Sequence, residues 1–129
     1  MIVVENKKEL IGFIKQRIKE QGPKCDLNDI DVSKIDDMSF LFSDSKFNGD
    51  ISDWDVSNVK NMSYMFYCSE FDGDISKWNV SNVGYMNSMF RDSRFSGDIS
   101  RWNVSNVVDM SYMFYNSPLS GREPKWYRP

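Results

Sequence analysis

Histidine is absent. That removes the commonest general base and the commonest transition-metal ligand. Cysteine is scarce: Cys25 and Cys68 are too few for a disulfide framework or a four-cysteine zinc site. Their separation fits no internal period of the chain, so two free thiols in a reducing compartment are expected. No apolar run approaches the ~20 residues of a membrane span. The start, Met1-Ile-Val-Val-Glu5, turns charged at once and leaves no secretory h-region. With no lipobox or anchor either, a cytoplasmic location is the expectation. A basic stripe is also missing, which disfavours direct nucleic-acid binding.

What is present suits one folded domain. A chain of 129 residues hides roughly two thirds of its unfolded surface on folding. An apolar fraction of 40% against 27% charged residues rules out a disordered acidic tail. The net charge of −3 is unevenly spread. Residues 1–25 carry six Lys/Arg and three Glu, residues 26–55 carry nine Asp and two Lys, and residues 56–129 are almost balanced.

A period of 24 organises the chain. Ile51, Ile75 and Ile99 keep it, as do Trp54, Trp78 and Trp102, and Phe66, Phe90 and Phe114. Segment 50–73 matches 98–121 at 16 of 24 positions, and 26–49 is a weaker first copy. The units are 26–49, 50–73, 74–97 and 98–121, with no insertion, so each is expected to sit on its neighbour in one way. Within 50–73, the alternation Trp54, Asp55, Val56 suggests a very short strand. Val59, Met62, Met65 and Phe66 have the spacing of a two-turn helix, with Ser57 or Asn58 to cap it. Gly73 supplies a turn with positive φ. Neither element persists alone, so stacking into a shared core is required. Met fills the irregular gaps. Ser57, Ser81 and Ser105 align, but a serine shared by every unit and lacking a histidine is no nucleophile.

The ends are expected to cap this stack. Residues 6–21 read as an amphipathic helix: Asn6 and Glu9 have capping-box spacing, and Leu10, Ile14 and Ile18 share a face. Gly22-Pro23 stops it. At the other end, residues 122–129 leave the pattern, and Trp126 and Tyr127 are expected to fold over the last unit.

The repeated phrase F-x-G-D-I-S-x-W-x-V-S-N-V-x-x-M-x-x-M-F begins at Phe47 and recurs at 71–90 and 95–114. It resembles the BspA-type bacterial surface-protein repeat, a leucine-rich-repeat-like module, over about residues 26–121. The resemblance implies a short right-handed α/β solenoid of four 24-residue coils. With the elements read from the residues, each coil would hold a short parallel strand and a short helix, behind the N-terminal capping helix assigned to residues 1–25. It also implies recognition of a protein or host surface, without assigned catalytic residues.

The expected function is therefore a non-enzymatic protein-binding module with no cofactor, metal or small-molecule ligand. Two alternatives remain. One is a small phage- or mobile-element-encoded inhibitor, anti-CRISPR-like, that blocks a host protein sterically or by acidic occlusion. The other is a minimal member of a bacterial surface adhesin family. Positions that vary between units are the candidate contacts. One column holds Asp29, Asp53, Lys77 and Arg101, and its neighbour holds Asp31, Asp55, Asn79 and Asn103. Both are expected to line a sheet face as a stripe running from acidic to basic or neutral. A second candidate face carries Tyr64, Tyr67, Tyr112 and Tyr115 with Phe40 and Arg91, residue types favoured at interface hot spots. The acidic block lacks the spacing of a calcium loop. Cys68, Glu70 and Arg91 are the sole hints of a catalytic group, and no positioned base accompanies them.

Overall fold

Two kinds of backbone build the molecule, and a computed structural model describes all 129 residues. Strand β1 (Ile2–Val3) leads into helix α1 (Lys7–Gln21), and β1 pairs in parallel with β2 (Ile30–Asp31). The Asn6 side chain accepts the Glu9 N–H at 2.9 Å and starts α1. Gly22, with φ 87°, ends it, its N–H donating to the Ile18 carbonyl at 2.8 Å. Leu10 and Ile14 are buried against the first unit, and the Arg17 guanidinium clasps both oxygens of Asp29 at 2.8 and 3.0 Å.

Beyond residue 31 there is no helix and no strand. The expected four-coil, leucine-rich-repeat-like α/β solenoid, with a strand and a helix in each coil, is thus overturned. Its helix fails for a physical reason. Tyr64 and Cys68 have φ of 58° and 54°, in the left-handed region, as do Phe40, Asp44, Ser88, Asp92, Tyr112 and Asn116. A right-handed helix cannot contain them. The three-residue spacing comes instead from successive tight turns: Val59 N–H to Val56 O, Met65 to Met62, Ser69 to Phe66. The strand fails because the Trp54 N–H turns back to the Ile51 carbonyl at 3.2 Å.

What the 24-residue spacing does produce is a compact aromatic core, cross-tied at that interval. Phe42, Phe66, Phe90 and Phe114 stack at 5.7, 5.6 and 5.9 Å, with planes within 7° of parallel. Phe47, Phe71 and Phe95 form a second stack beside them. The indole N–H groups of Trp54, Trp78 and Trp102 donate to the carbonyls of Leu27, Ile51 and Ile75 at 2.9 to 3.0 Å. Each buried ring thus keeps its polar atom satisfied. Single parallel bridges link Asp37 to Asn61, Asn61 to Tyr85 and Tyr85 to Asp109. Each left-handed residue costs roughly 1–2 kcal/mol. At Phe40, Asp44, Tyr64, Cys68, Ser88 and Asp92 the N–H recovers a hydrogen bond across the interval, as when Tyr64 donates to Asn87 O at 3.1 Å.

Gly73 is needed for room and not for a positive φ, correcting the sequence expectation. A Cβ there would lie 2.7 Å from the Phe71 ring. The aligned serines are also not caps. Ser57, Ser81 and Ser105 are held by their neighbours: their N–H groups donate to the side-chain oxygens of Asp55, Asn79 and Asn103 at 3.0 to 3.1 Å.

Candidate functional site

Of the equivalent left-handed positions 40, 64, 88 and 112, three carry aromatic residues that reach the surface. Phe40 and Tyr64 lie flat on each other, centroids 4.7 Å apart and planes 5° from parallel. Tyr67 meets Tyr64 edge-on at 5.5 Å. Ser88 takes the third position and is buried, and Tyr112 takes the fourth. Arg91 lays its guanidinium over Tyr112 and Tyr115, at 5.3 and 5.2 Å from the two ring centroids. Its Nε is 3.7 Å from an Asp92 carboxylate oxygen and donates no hydrogen bond. Tyr112 and Tyr115 meet edge-on at 6.0 Å. The result is two adjoining patches, one of Phe40, Tyr64 and Tyr67 and one of Arg91, Tyr112 and Tyr115. Phe40, Tyr112 and Tyr115 are each more than half exposed. A side-chain hydrogen bond with Cys68 pushes the Tyr67 phenol up, Asp92 adding to this and Arg91 opposing it.

The charged stripe is placed differently from its expectation, because no sheet underlies it. Asp53, Lys77 and Arg101 are exposed on turns. Asp53 and Lys77 share a shallow groove of about 90 Å³, and Lys77 and Arg101 share one of about 300 Å³. Asp29 stands apart, engaged by Arg17, whose hydrogen bonds hold its carboxyl below the usual range. The second column has an internal task. Asp31, Asp55, Asn79 and Asn103 each accept the N–H of the residue two positions on. Asp31 is accordingly held low, first by the Ser33 side chain and then by its N–H.

The same accounting applies to the whole acidic block. Asp26 and Asp50 fix turns through Asn28 and Ser52. Asp37 accepts the Ser39 N–H and sits 3.6 Å from the Lys7 ammonium. With Asp29, Asp31 and Asp55, six of the nine carboxylates between residues 26 and 55 are engaged inside the molecule. No three Cys, Asp or Glu side chains converge in an arrangement that could hold a metal ion. Cys25 is buried, which pushes its thiol up, and Cys68 is exposed.

Sequence reasoning missed two features. Trp126 lies 24 residues after Trp102 and continues its column: it stacks on Trp102 at 6.4 Å and donates to the Ile99 carbonyl at 2.9 Å. That signal was present in the spacing. Asn58, Asn82 and Asn106 form a side-chain ladder, donating to the carbonyls of Ser33, Ser57 and Ser81, each at 2.7 Å.

A family described as "Mycoplasma protein of unknown function, DUF285" matches residues 14–126. The chain belongs to this family. No curated protein and no solved structure gives a match. The matched stretch takes in about half of α1, the stacked Phe and Trp columns and Trp126, and so includes both exposed aromatic patches. No helix of the chain is long and apolar enough to cross a membrane.

Proposed function

We propose that the chain is a protein-binding module, without chemistry of its own, that contacts its partner through the Phe40, Tyr64, Tyr67, Arg91, Tyr112 and Tyr115 face. The observation that carries this reading is the exposure of Phe40, Tyr112 and Tyr115, at 53%, 60% and 55%, the two tyrosines lying under the partly buried Arg91. Rigid aromatics and arginine supply large contact area at low entropic cost and dominate interface energetics. The likeness to BspA-type repeats supports the same class of activity. The polar stripe is a weaker candidate, since the oxygens of Asp31, Asp55, Asn79 and Asn103 are engaged in their own turns. Acidic occlusion of a nucleic-acid site is weakened where Arg17 and Lys7 lie against Asp29 and Asp37.

Two serine substitutions test the face, because the chain itself holds serine at the equivalent positions, Ser88 and Ser43. Tyr112→Ser with Tyr115→Ser should leave the melting temperature nearly unchanged and abolish capture of the partner from a host extract. Reversing the stripe, with Asp53→Lys and Lys77→Glu, should leave capture intact. Capture that survives the tyrosine changes and fails on the stripe reversal would overturn the reading.

A further inference from the structure

Two departures from the 24-residue pattern fall in one segment. Residues 40, 64 and 112 are aromatic where residue 88 is serine, and residues 67 and 115 are tyrosine where residue 91 is arginine. Arg91 has a neighbouring segment on either side. On one, the Cys68 N–H donates to the Arg91 carbonyl at 3.0 Å; on the other, the guanidinium covers Tyr112 and Tyr115. Its donors are unused. Arg17 clasps Asp29, Arg122 donates to the Pro118 carbonyl at 3.0 Å, and Arg128 donates to the Val107 carbonyl at 3.3 Å. Arg91 donates to no acceptor in the chain, and its Nε is the one buried side-chain nitrogen or oxygen left without a partner. The Nη atoms are also unpaired and, unlike Nε, are open to solvent. Asp92 brings the one carboxylate within 4 Å, 3.7 Å from Nε, and its other oxygen accepts from the Asn116 amide at 2.6 Å. A guanidinium held in place with its fork unfilled is suited to a planar oxyanion.

We propose that the Nη atoms of Arg91 receive the carboxylate of an Asp or Glu side chain of the partner protein, in a two-point hydrogen-bonded pair. The assignment rests on the protein-binding reading above and names the chemistry that the partner brings to that face. The two tyrosine rings hold the guanidinium in position, so little side-chain freedom is lost when the pair forms. They also keep water from one of its faces, which strengthens a charged hydrogen bond made there. The charge balance favours a carboxylate over a phosphoryl group. Arg91 already has Asp92 beside it, and Arg94, the other arginine of the segment, lies 3.8 Å from Glu70. One arginine so placed suits a single negative charge better than a dianion.

The probe is sodium 3-phenylpropionate, a carboxylate on a short apolar stem, with 3-phenylpropionamide as its neutral control. Each is titrated into the full-length ¹⁵N-labelled chain. The Arg91 Nε–Hε resonance should shift saturably with the carboxylate, and the amide should bind about tenfold more weakly. Arg91→Gln should abolish the difference between the two probes. Arg91→Lys keeps the charge without the fork and should reduce it, with the melting temperature nearly unchanged. Three results would each overturn the proposal: no saturable shift at the Arg91 Nε–Hε, equal affinity for the amide, or binding of phenyl phosphate about tenfold tighter than the carboxylate, which would assign the site to a phosphoryl group. In partner capture, Arg91→Gln should lower recovery about tenfold. If capture survives Arg91→Gln while Tyr112 and Tyr115 remain essential, the carboxylate assignment is wrong and the face reading stands. If the carboxylate binds at Arg91 while capture ignores both tyrosines, the Arg91 site stands and the face reading falls.

Discussion

In α1 a peptide N–H finds its acceptor four residues back. From residue 36 onward it finds one three residues back in a tight turn, or 23 to 25 residues away on a neighbouring segment. The first arrangement is local, and capping at Asn6 and Gly22 completes it within the helix. The second is long-range, and no segment can satisfy its backbone without its neighbour. The two regions should therefore fail differently. The helix can fray on its own, while the turn-built body should hold or unfold as one unit. The largest test of this contrast lies in the body. Trp78→Ala removes a buried ring that packs against Trp54 and Phe66 and one of the two donors, the indole N–H and the Trp54 N–H, that the Ile51 carbonyl accepts. A loss of about 3–5 kcal/mol is expected, in a single cooperative transition. Denaturant unfolding measures it. A loss below about 1 kcal/mol, or a split transition, would break the comparison.

How much of this was legible depended on which signal carried it. The period of 24 showed which residues share a column, and the buried Ile, Trp, Met and Phe columns follow it. The start of α1 was legible because Asn6 and Glu9 declare a cap by spacing alone. The backbone between the columns was not. Apolar residues at 59, 62, 65 and 66 fit a helix and fit a run of tight turns equally well. The choice is made by the left-handed φ of Tyr64 and Cys68, which residue type does not announce. Glycine would have signalled it, but Phe40, Tyr64 and Ser88 hold three such positions, where the cost is met by hydrogen bonds 23 residues away. The candidate face was readable as a list of tyrosines and one arginine. Its arrangement was not, since Arg91 meets Tyr112 and Tyr115 across the chain's long-range packing and not within one local element.

A smaller effect sharpens the contrast from the helical side. Asn6→Ala removes the acceptor for the Glu9 N–H and should lower stability by about 1 kcal/mol. Hydrogen exchange should quicken in the first turn of α1, with the cross-segment amides of Tyr64 and Phe66 unaffected. Equal acceleration in both places would mean that the helix and the body are one cooperative unit.

The smallest effect concerns acid, and it belongs to the body alone. Asp50, Asp74 and Asp98 each accept the N–H of the serine two residues on, at 2.9 to 3.0 Å. Their carboxyls are held below the usual range, first by the serine side chain and then by that N–H. A lowered folded value means that the unfolded chain takes up protons first. The stabilisation is therefore complete above the unfolded value of about 4 and is lost as pH falls through the lower folded values. Asn79 and Asn103 make the same turn without a titrating group. Changing Asp50, Asp74 and Asp98 to Asn should thus preserve the turns and the neutral-pH melting temperature while flattening its decline below about pH 4. An unchanged acid decline would place the acid sensitivity elsewhere, the Asp29 and Arg17 clasp at the α1 end being the next group with a lowered carboxyl to examine. Acid would then loosen the helix before the body and reverse this part of the contrast.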